Sequence, residues 1–502
     1  MNRSTDPAIL SLDVLARQLD RVGATVQGDT AVGVGDVRQD SREVRPGDLF
    51  VARSGQRTSG ADFAVDAVRR GAAAVMAERA IPLPALSVPV VLVDDVRLAL
   101  ALAAEIVHGW PSQRVDVVGI TGTNGKTTTA SLVRMALAGV GVRAASLGTL
   151  GFEFGSTFVD SSLTTPEADQ ITRHVACARD AGASHLVMEV SSHALSQSRV
   201  DALTFAVAAF SNLTQDHLDY HATMEDYAAN KARLFLELEP RVSVINVDDP
   251  FGARLANRVT GRVLRVSREG RGDVRAIHSR IDAQGIQSTV VLPSGEAELH
   301  SRLVGEHNLD NLLLALAIVE ALGLDVRGAA QALSGAPAIP GRLERCDGPD
   351  DDILVLVDYA HTPDALRRAL RAVRGLTSRS VICVFGCGGD RDPLKRPKMG
   401  LAVAEAATHA IVSNDNPRTE DPASIAAQIE PGLRAGGLPY EVELDRSAAI
   451  QRAILGASSG DVVLIAGKGH EPYQIIGTER RAFDDRVEAR RALRLRRERA
   501  AS

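Results

Sequence analysis

The sequence predicts an α/β fold in three domains: a small N-terminal α/β domain over residues 1–108, a central P-loop-like domain with a mainly parallel sheet over 109–342, and a C-terminal Rossmann-like α/β domain over 343–502. Three observations predict it. The 502 residues exceed what one hydrophobic core serves. From about residue 109 onward, apolar runs of strand length alternate with segments of helix length, the pattern of a parallel sheet covered by helices. The stretch Ala336-Pro337-Ala338-Ile339-Pro340-Gly341-Arg342 interrupts that alternation with proline and glycine, as a hinge does.

Composition narrows the function classes. Hydrophobic residues make up 45% and charged residues 24% of the chain, the balance of a globular protein. A net charge of −6 gives no general attraction for nucleic acid or an anionic membrane, so neither partner is expected and any phosphate binding is local. Met1-Asn2-Arg3-Ser4-Thr5-Asp6-Pro7 contains no apolar signal core, and no later run reaches the roughly 18 apolar residues of a membrane span. A cytoplasmic monomer is expected. Cys177, Cys346, Cys383 and Cys387 are too few and too scattered for a disulfide framework. Cys383 and Cys387 sit on or just after one apolar run and read as buried thiols rather than metal ligands.

In the first block, the apolar run Asp48-Leu49-Phe50-Val51-Ala52 and the helix-like stretch from Phe63 to Arg70, followed by Gly71 to Met76, indicate mixed strands and helices. The central block opens with the strongest chemical signal. Residues 119 to 129 read Gly-Ile-Thr-Gly-Thr-Asn-Gly-Lys-Thr-Thr-Thr, after the apolar run Val115-Asp116-Val117-Val118 and before the helix-patterned Ala130 to Met135. A strand, a glycine-rich turn and a helix start carrying lysine is how a chain grips nucleotide phosphates: glycines admit phosphate oxygens to backbone N–H groups, and the helix N-terminus and Lys126 add positive charge. Gly122, Thr123, Asn124, Gly125, Lys126, Thr127 and Thr128 are therefore the candidate nucleotide contacts. The spacing departs from the general P-loop, since Ile120 stands where that motif has its first glycine.

Further strands are expected at His185 to Val190, read as the second of the block, at Phe205 to Phe210 and at Val242 to Val247. Short strands follow over Ala276 to Leu303, then a helix over Asn308 to Leu322. Glu189, at the tip of its strand beside the loop, suits a nucleotide-bound Mg²⁺, which takes one or two carboxylates besides phosphates and waters; a strand-end glutamate facing water is the alternative. The polar loop from Ser211 to His221 contains His217, a weak candidate for a metal or phosphate contact. Lys231 reads by composition as an ordinary surface-helix lysine.

The last block repeats the α/β logic with apolar runs at Ile353 to Val357, Val381 to Phe385, Ala410 to Ser413 and Val462 to Ala466. Three of them lead into Gly388-Gly389-Asp390-Arg391-Asp392, Asp415-Asn416-Pro417-Arg418 and Gly467-Lys468-Gly469-His470-Glu471. Arginines and acids converging from neighbouring strand ends suit a ligand with both carboxylate and ammonium groups, an amino acid, because guanidinium pairs carboxylate through two bonds. Plain surface charge explains the composition equally well. The Arg-rich stretch from Arg486 to Arg499 is helical in pattern and reads as a solvated helix face rather than a nucleic-acid arm.

Together these segments resemble the Mur ligases, ATP-dependent amide-bond-forming enzymes of peptidoglycan precursor synthesis. The Thr-Gly-Thr-Asn-Gly-Lys-Thr loop matches that family's ATP site. Glu189, the loop around Asn212 and His217, Gly305-Glu306-His307-Asn308-Leu309-Asp310-Asn311, Arg342 and Asp358-Tyr359-Ala360-His361-Thr362-Pro363 match in order over nearly the whole chain. The resemblance implies ATP and Mg²⁺ as cofactors, Asn308, Arg342 and Asp358 as further ATP contacts, and Lys126, Glu189, His217 and Lys231 as catalytic residues. It also implies that Thr127, Glu189, His217 and a carbamylated Lys231 hold metal. A carbamate offers hard oxygen ligands where an ammonium offers none.

Asp40-Ser41-Arg42 with Pro46 to Ala52 resembles the uridine nucleotide domain of members that add diaminopimelate. Leu163-Thr164-Thr165-Pro166 and Ser191 to Arg199 resemble their muramoyl-dipeptide contacts. The resemblance thus implies Ser41, Thr164, Thr165, Ser191, Gln197 and Arg199 for UDP-MurNAc-L-Ala-D-Glu. It implies Arg391, Asp415, Asn416, Pro417, Arg418, Gly467 and Glu471 for meso-diaminopimelate. Asp415-Asn416-Pro417-Arg418 matches the signature of diaminopimelate-adding members, and lysine-adding relatives usually lack its arginine. Gln56-Arg57-Thr58-Ser59-Gly60 departs from the His-Gln-Ala and Asp-Gly pattern common in such members.

Overall fold

The computed structural model describes residues 9–55, 59–161, 163–216, 220–336 and 338–501. Gln56 to Thr58 and His217 lie outside the described residues. Three sheets carry the fold, and each has an apolar core on both faces, which explains why its strands read as continuous apolar runs rather than alternating ones.

The N-terminal sheet orders its five strands Thr25–Gln27, Val90–Val93, Ala74–Glu78, Asp48–Ala52 and Asp36–Arg38, parallel except for the first pair. Helix Val96–Val107 covers one face and leads into the central block.

The central sheet has eleven strands. Its parallel part runs from Ala144–Gly148 through His185–Glu189, Asp116–Thr121, Phe205–Phe210, Val242–Asn246 and Arg262–Ser267 to Val274–Asp282. Antiparallel strands extend both edges: Gly151–Phe154 and Thr157–Val159 at one, Gly285–Leu292 and Gly295–Ser301 at the other. The strand ending at Glu189 was expected to be the second of its block. In the structure Ala144–Gly148, Gly151–Phe154 and Thr157–Val159 precede it. They are short and glycine-bounded, and two belong to a half-exposed hairpin, so they carry little apolar signal.

Strand Asp116–Thr121 lies between His185–Glu189 and Phe205–Phe210, and the chain builds first on one side of it and then on the other. The turn after it therefore opens at a topological switch point, where such sheets leave a crevice. Helix Lys126–Gly139 follows and packs on helices Glu306–Ala321 and Val326–Ser334.

The C-terminal sheet has six strands in the order Glu344–Arg345, Leu354–Asp358, Val462–Ala466, Val381–Phe385, His409–Val412 and Tyr440–Val442, parallel except for the first pair. Cys383 and Cys387 are buried free thiols, and burial pushes Cys387 up to about 12. The Arg-rich tail, expected as a solvated helix face, also has a buried side. Helix Asp485–Ala501 buries Ala489, Ala492 and Leu493 in the core under the sheet. Arg486 and Arg490 pair with Glu344, and Arg496 and Arg497 with Asp352 and Asp351. The small buried residues lie at helical spacing among arginines, so composition hid that stripe.

The helix is locked by a buried ion pair. Arg446 and Asp485 have no exposed side-chain surface and meet through two bonds of 2.7 Å, while the guanidinium also donates to the carbonyls of Asn414 and Ala466. Removing one partner leaves an uncompensated buried charge, so Asp485→Ala is expected to cost about 3–5 kcal/mol, read as a lower urea midpoint for the C-terminal transition. A variant with the parental midpoint would show that the pair does not hold the helix.

Candidate active site

The phosphate loop lies at the carboxyl edge of the central sheet. Gly122 has φ +150° and packs against Ser211 Oγ and the backbone of Asn212, while Gly125 is left-handed and packs against Asn311 Oδ1. No side chain caps the helix that starts at Lys126, so its first N–H groups stay open to an anion. Thr123 bonds the carbonyl of Thr214 and the hydroxyl of Tyr227, each at 3.2 Å, and Asn124 N donates to Asn212 Oδ1 at 3.0 Å. Thr128 is buried in the first turn. Lys126 Nζ folds onto its own loop, donating to the carbonyls of Gly122 at 2.9 Å and Thr123 at 3.1 Å.

Thr127 and Glu189 come together as the spacing suggested. Thr127 Oγ1 donates to Glu189 Oε2 at 2.9 Å and accepts from Arg342 Nη2 at 3.1 Å. The backbone N–H of Thr149 fixes Glu189 Oε1 at 2.8 Å. A buried hydroxyl and a carboxylate beside a phosphate loop form a hard-oxygen pair that fits Mg²⁺ completed by phosphate and water. Among the described residues no cluster of three or more His, Cys, Asp or Glu stands ready for a metal. Asn308 is buried, donates to Val304 O at 2.8 Å and accepts from Asn311, which in turn accepts from Thr129. Asp358 accepts the N–H groups of Leu343 and Ala360, both at 2.8 Å; burial raises its carboxyl pKa while Arg342 opposes the shift.

Lys231 corrects the composition reading. It is 1% exposed, on helix Met224–Leu236, and its ammonium donates to the carbonyl of Gly122 at 2.9 Å and lies 4.5 Å from the centroid of the Tyr227 ring. Burial, reinforced by Lys126, pushes the amine well below the usual lysine range, with Asp216 pulling the other way. The signal was present: Lys231 is four residues from both Tyr227 and Phe235, so it shares their buried face. Tyr227 and Thr149 were missed because each acts through a fold contact rather than a motif, while Asn311 was matched only as the last residue of the segment Gly305 to Asn311.

A cavity of about 1560 Å³ lies beside the loop, with Thr149, Thr164 and Asp216 on the central side and Arg391, Asp415, Asn416, Arg418, Gly467 and Glu471 on the C-terminal side. The last six are six of the seven residues expected to face an amino acid, Pro417 being the one that does not line the cavity, and three strand ends deliver them together. Arg418 has φ +50°, and its Nη1 donates to Gly389 O at 2.8 Å. Pro417 shapes the turn, and its carbonyl packs against Gly389. Asn416 is turned inward and bonds Glu471, Lys468 and the N–H of Ile475.

Thr165 donates to the carbonyl of Glu189 at 2.9 Å and accepts from Ser191 N at 3.0 Å. Arg199 links Thr165 O, Gln197 and Glu167, and Gln197 reaches the hydroxyl of Tyr220. Ser41 is buried in the N-terminal domain, and neither it nor Thr165, Ser191, Gln197 or Arg199 lines this cavity. His217 lies outside the described residues.

Glycine-rich loop, acid-bearing strand tip and a cavity walled by charged side chains are the parts of a nucleotide-dependent ligase, and three family models match the chain. These are the Mur ligase family catalytic domain over residues 35–107, the Mur ligase middle domain over 120–319, and the Mur ligase glutamate ligase domain over 341–469. The chain belongs to the Mur ligase family. Among its relatives, the UDP-N-acetylmuramoyl-L-alanyl-D-glutamate--2,6-diaminopimelate ligase of Gloeobacter violaceus is 45% identical over 96% of this chain and 98% of that relative. The ligase of the same name from Thermosynechococcus vestitus is 46% identical over 92% and 93%. A solved structure of that name superposes with TM-score 0.71 at 32% identity, covering 97% of this chain and 99% of its own. MurF from Acinetobacter baumannii, at 19% identity and TM-score 0.65 over 90% and 95%, shares the fold.

A side chain at Gly122 would meet Ser211 and Asn212 in a backbone region that disfavours side chains. Gly122→Ala is expected to cost about 1–3 kcal/mol at the loop, weakening nucleotide binding about 5- to 150-fold by calorimetry. Parental affinity would show that the loop does not depend on this glycine.

Proposed function

We propose that the protein is an ATP-dependent amide-bond-forming ligase that adds meso-2,6-diaminopimelate to UDP-N-acetylmuramoyl-L-alanyl-D-glutamate in peptidoglycan precursor synthesis. The observation that carries this reading is the bonding of Thr127 to both Glu189 and Arg342, with Lys126 folded onto the same loop, and a cavity walled by Arg391, Asp415, Arg418 and Glu471 that reaches Thr149, the residue holding Glu189. Relatives named for this reaction, matched over nearly the whole chain, support it.

A carboxylate does not react with an amine at neutral pH, because the anion is a poor electrophile. In this reading the D-glutamate γ-carboxylate takes the γ-phosphoryl group of ATP, giving an acyl phosphate and ADP. The diaminopimelate amine then attacks the acyl carbon, loses a proton and expels phosphate. Gly122, Thr123, Asn124, Gly125 and Thr128 cradle the phosphates through backbone N–H groups, and Lys126 neutralises charge that develops during transfer. Asn308, Arg342 and Asp358 complete the ATP site. Mg²⁺ held by Thr127 and Glu189, and a second ion held by His217 and carbamylated Lys231, would supply further charge neutralisation there. Lys231 is suited to become a carbamate because burial beside Lys126 lowers its pKa, which favours the neutral, nucleophilic amine over the ammonium.

Ser41, Thr164, Thr165, Ser191, Gln197 and Arg199 bind the UDP-linked dipeptide, with Ser41 on the N-terminal domain. Arg391, Asp415, Asn416, Pro417, Arg418, Gly467 and Glu471 bind diaminopimelate, whose distal carboxylate suits the guanidinium of Arg418. The three domains, 1–108, 109–342 and 343–502, divide these tasks. The protein works as a cytoplasmic monomer; no helix of the described residues is long and apolar enough to cross a membrane.

Phosphate release is expected to require ATP, the UDP-linked dipeptide and diaminopimelate together, with L-lysine a poor substitute; preference for lysine would defeat the assignment of the acceptor. Lys126→Ala is expected to lower turnover at least about 100-fold. Alignment of three substrates requires closure about Pro340 and Gly341, so small-angle scattering is expected to give a smaller radius of gyration with nucleotide and UDP-dipeptide bound. Identical profiles would count against closure.

A further inference from the structure

Lys468 is a lysine with no exposed surface, and the reaction described above does not use it. It follows the central strand Val462–Ala466 of the C-terminal sheet, between Gly467 at φ +119° and Gly469 at φ +54°. Both glycines are needed. A side chain on Gly467 would meet the Asp415 carboxylate, and one on Gly469 would meet Tyr359 and the backbone of Gly341. The turn is closed by Glu471 N–H on the carbonyl of Lys468 at 3.0 Å, and this geometry sends residue 468 inward and residue 471 toward the cavity.

The inward ammonium donates to Asn416 Oδ1 at 3.1 Å and to Glu471 Oε2 at 3.3 Å, and it lies 5.5 Å from the centroid of the Tyr473 ring. Asn416 Nδ2 donates to the same Glu471 oxygen at 2.9 Å, and Asn416 Oδ1 also takes the N–H of Ile475 at 2.9 Å. One carboxylate oxygen of Glu471 is thus held by a buried cation and an amide. Glu471 lines the cavity, whereas Lys468 does not.

We propose that Lys468 is a positioning residue for the entering amino acid: it fastens Oε2 of Glu471, directly and through Asn416, so that Oε1 is presented to the substrate ammonium. This rests on the assignment of Glu471 to the amino-acid site. A cation is the fitting group, because charge-assisted bonds are roughly twice as strong as neutral ones and an unheld carboxylate would sample several rotamers. Asn416 acts within the same bracket, through Glu471.

The test is steady-state kinetics of the full-length Lys468→Met variant with each substrate varied in turn, alongside its melting temperature. The expected result is a KM for diaminopimelate raised at least ~10-fold, the loss of a charge-assisted bond, with the KM values for ATP and the UDP-linked dipeptide unchanged. A folded variant whose KM for diaminopimelate is parental, or whose three KM values rise together, overturns the proposal. If Lys468→Met does not fold, Lys468→Gln, which keeps an N–H donor and loses the charge, is measured with the same two outcomes. A wild-type protein that uses diaminopimelate beside an unaffected variant removes the role of Lys468 alone. A wild type indifferent to diaminopimelate removes the functional reading as well.

Discussion

The carbonyl oxygen of Gly122 accepts hydrogen bonds from two lysines, Lys126 and Lys231, each at 2.9 Å. A carbonyl has two lone pairs, so the geometry is allowed, but two buried ammonium groups around one neutral oxygen repel each other. Burial lowers the pKa of both, and Lys126 lowers that of Lys231 further. Loss of a proton from one amine, or an incoming negative charge, relieves this crowding, and phosphate oxygens give Lys126 a stronger partner than a carbonyl. The constraint reaches outward: Gly122 must approach Ser211 and Asn212 without a side chain, Tyr227 must sit under Lys231, and Thr127 must face Glu189.

The domains attach to the central one by unlike means. The N-terminal domain is held by a dense polar seam. Arg173 binds Asp36, Asp169 and the carbonyl of Val37; His108 binds Asp36; Glu167 binds Arg53; and buried Glu105 bonds Ser112 and Thr172. Polar links on the C-terminal side are sparser. Thr214 meets Asp364 and Arg368, and Arg345 reaches the carbonyl of Ala283. Rotation of the C-terminal domain therefore breaks less than rotation of the N-terminal one.

Much of this was legible in the sequence. Strands Phe205–Phe210, Val381–Phe385 and Val462–Ala466 have the bounds their apolar runs suggested, because strands buried on both faces leave no polar interruptions. The phosphate loop and Glu189 were legible because strand, turn and helix are contiguous there. The burial of Lys231 was legible in its spacing from Tyr227 and Phe235, but its role was not, because that role arises when a distant helix packs under the loop. Lys468 was quoted as part of a motif yet had no assigned task, since whether a side chain between two glycines turns inward is decided by their φ angles and not by their identity. The edge hairpin Gly151–Phe154 and Thr157–Val159 was missed because its outer strand is exposed throughout.

The walls of the 1560 Å³ cavity have a bearing on medicinal chemistry. The space exceeds the roughly 300–1,000 Å³ of a drug-sized pocket, and Arg367, Arg391, Lys395, Lys398, Arg480 and Arg486 line it together with Glu153, Asp160, Asp392 and Glu471. A compound that satisfies those charges is itself multiply charged, and such molecules cross a lipid bilayer poorly. The exposed side chains of Phe158 and Leu163 at the rim offer an uncharged foothold, so a fragment anchored there would start from a more permeable scaffold than a mimic of the amino acid.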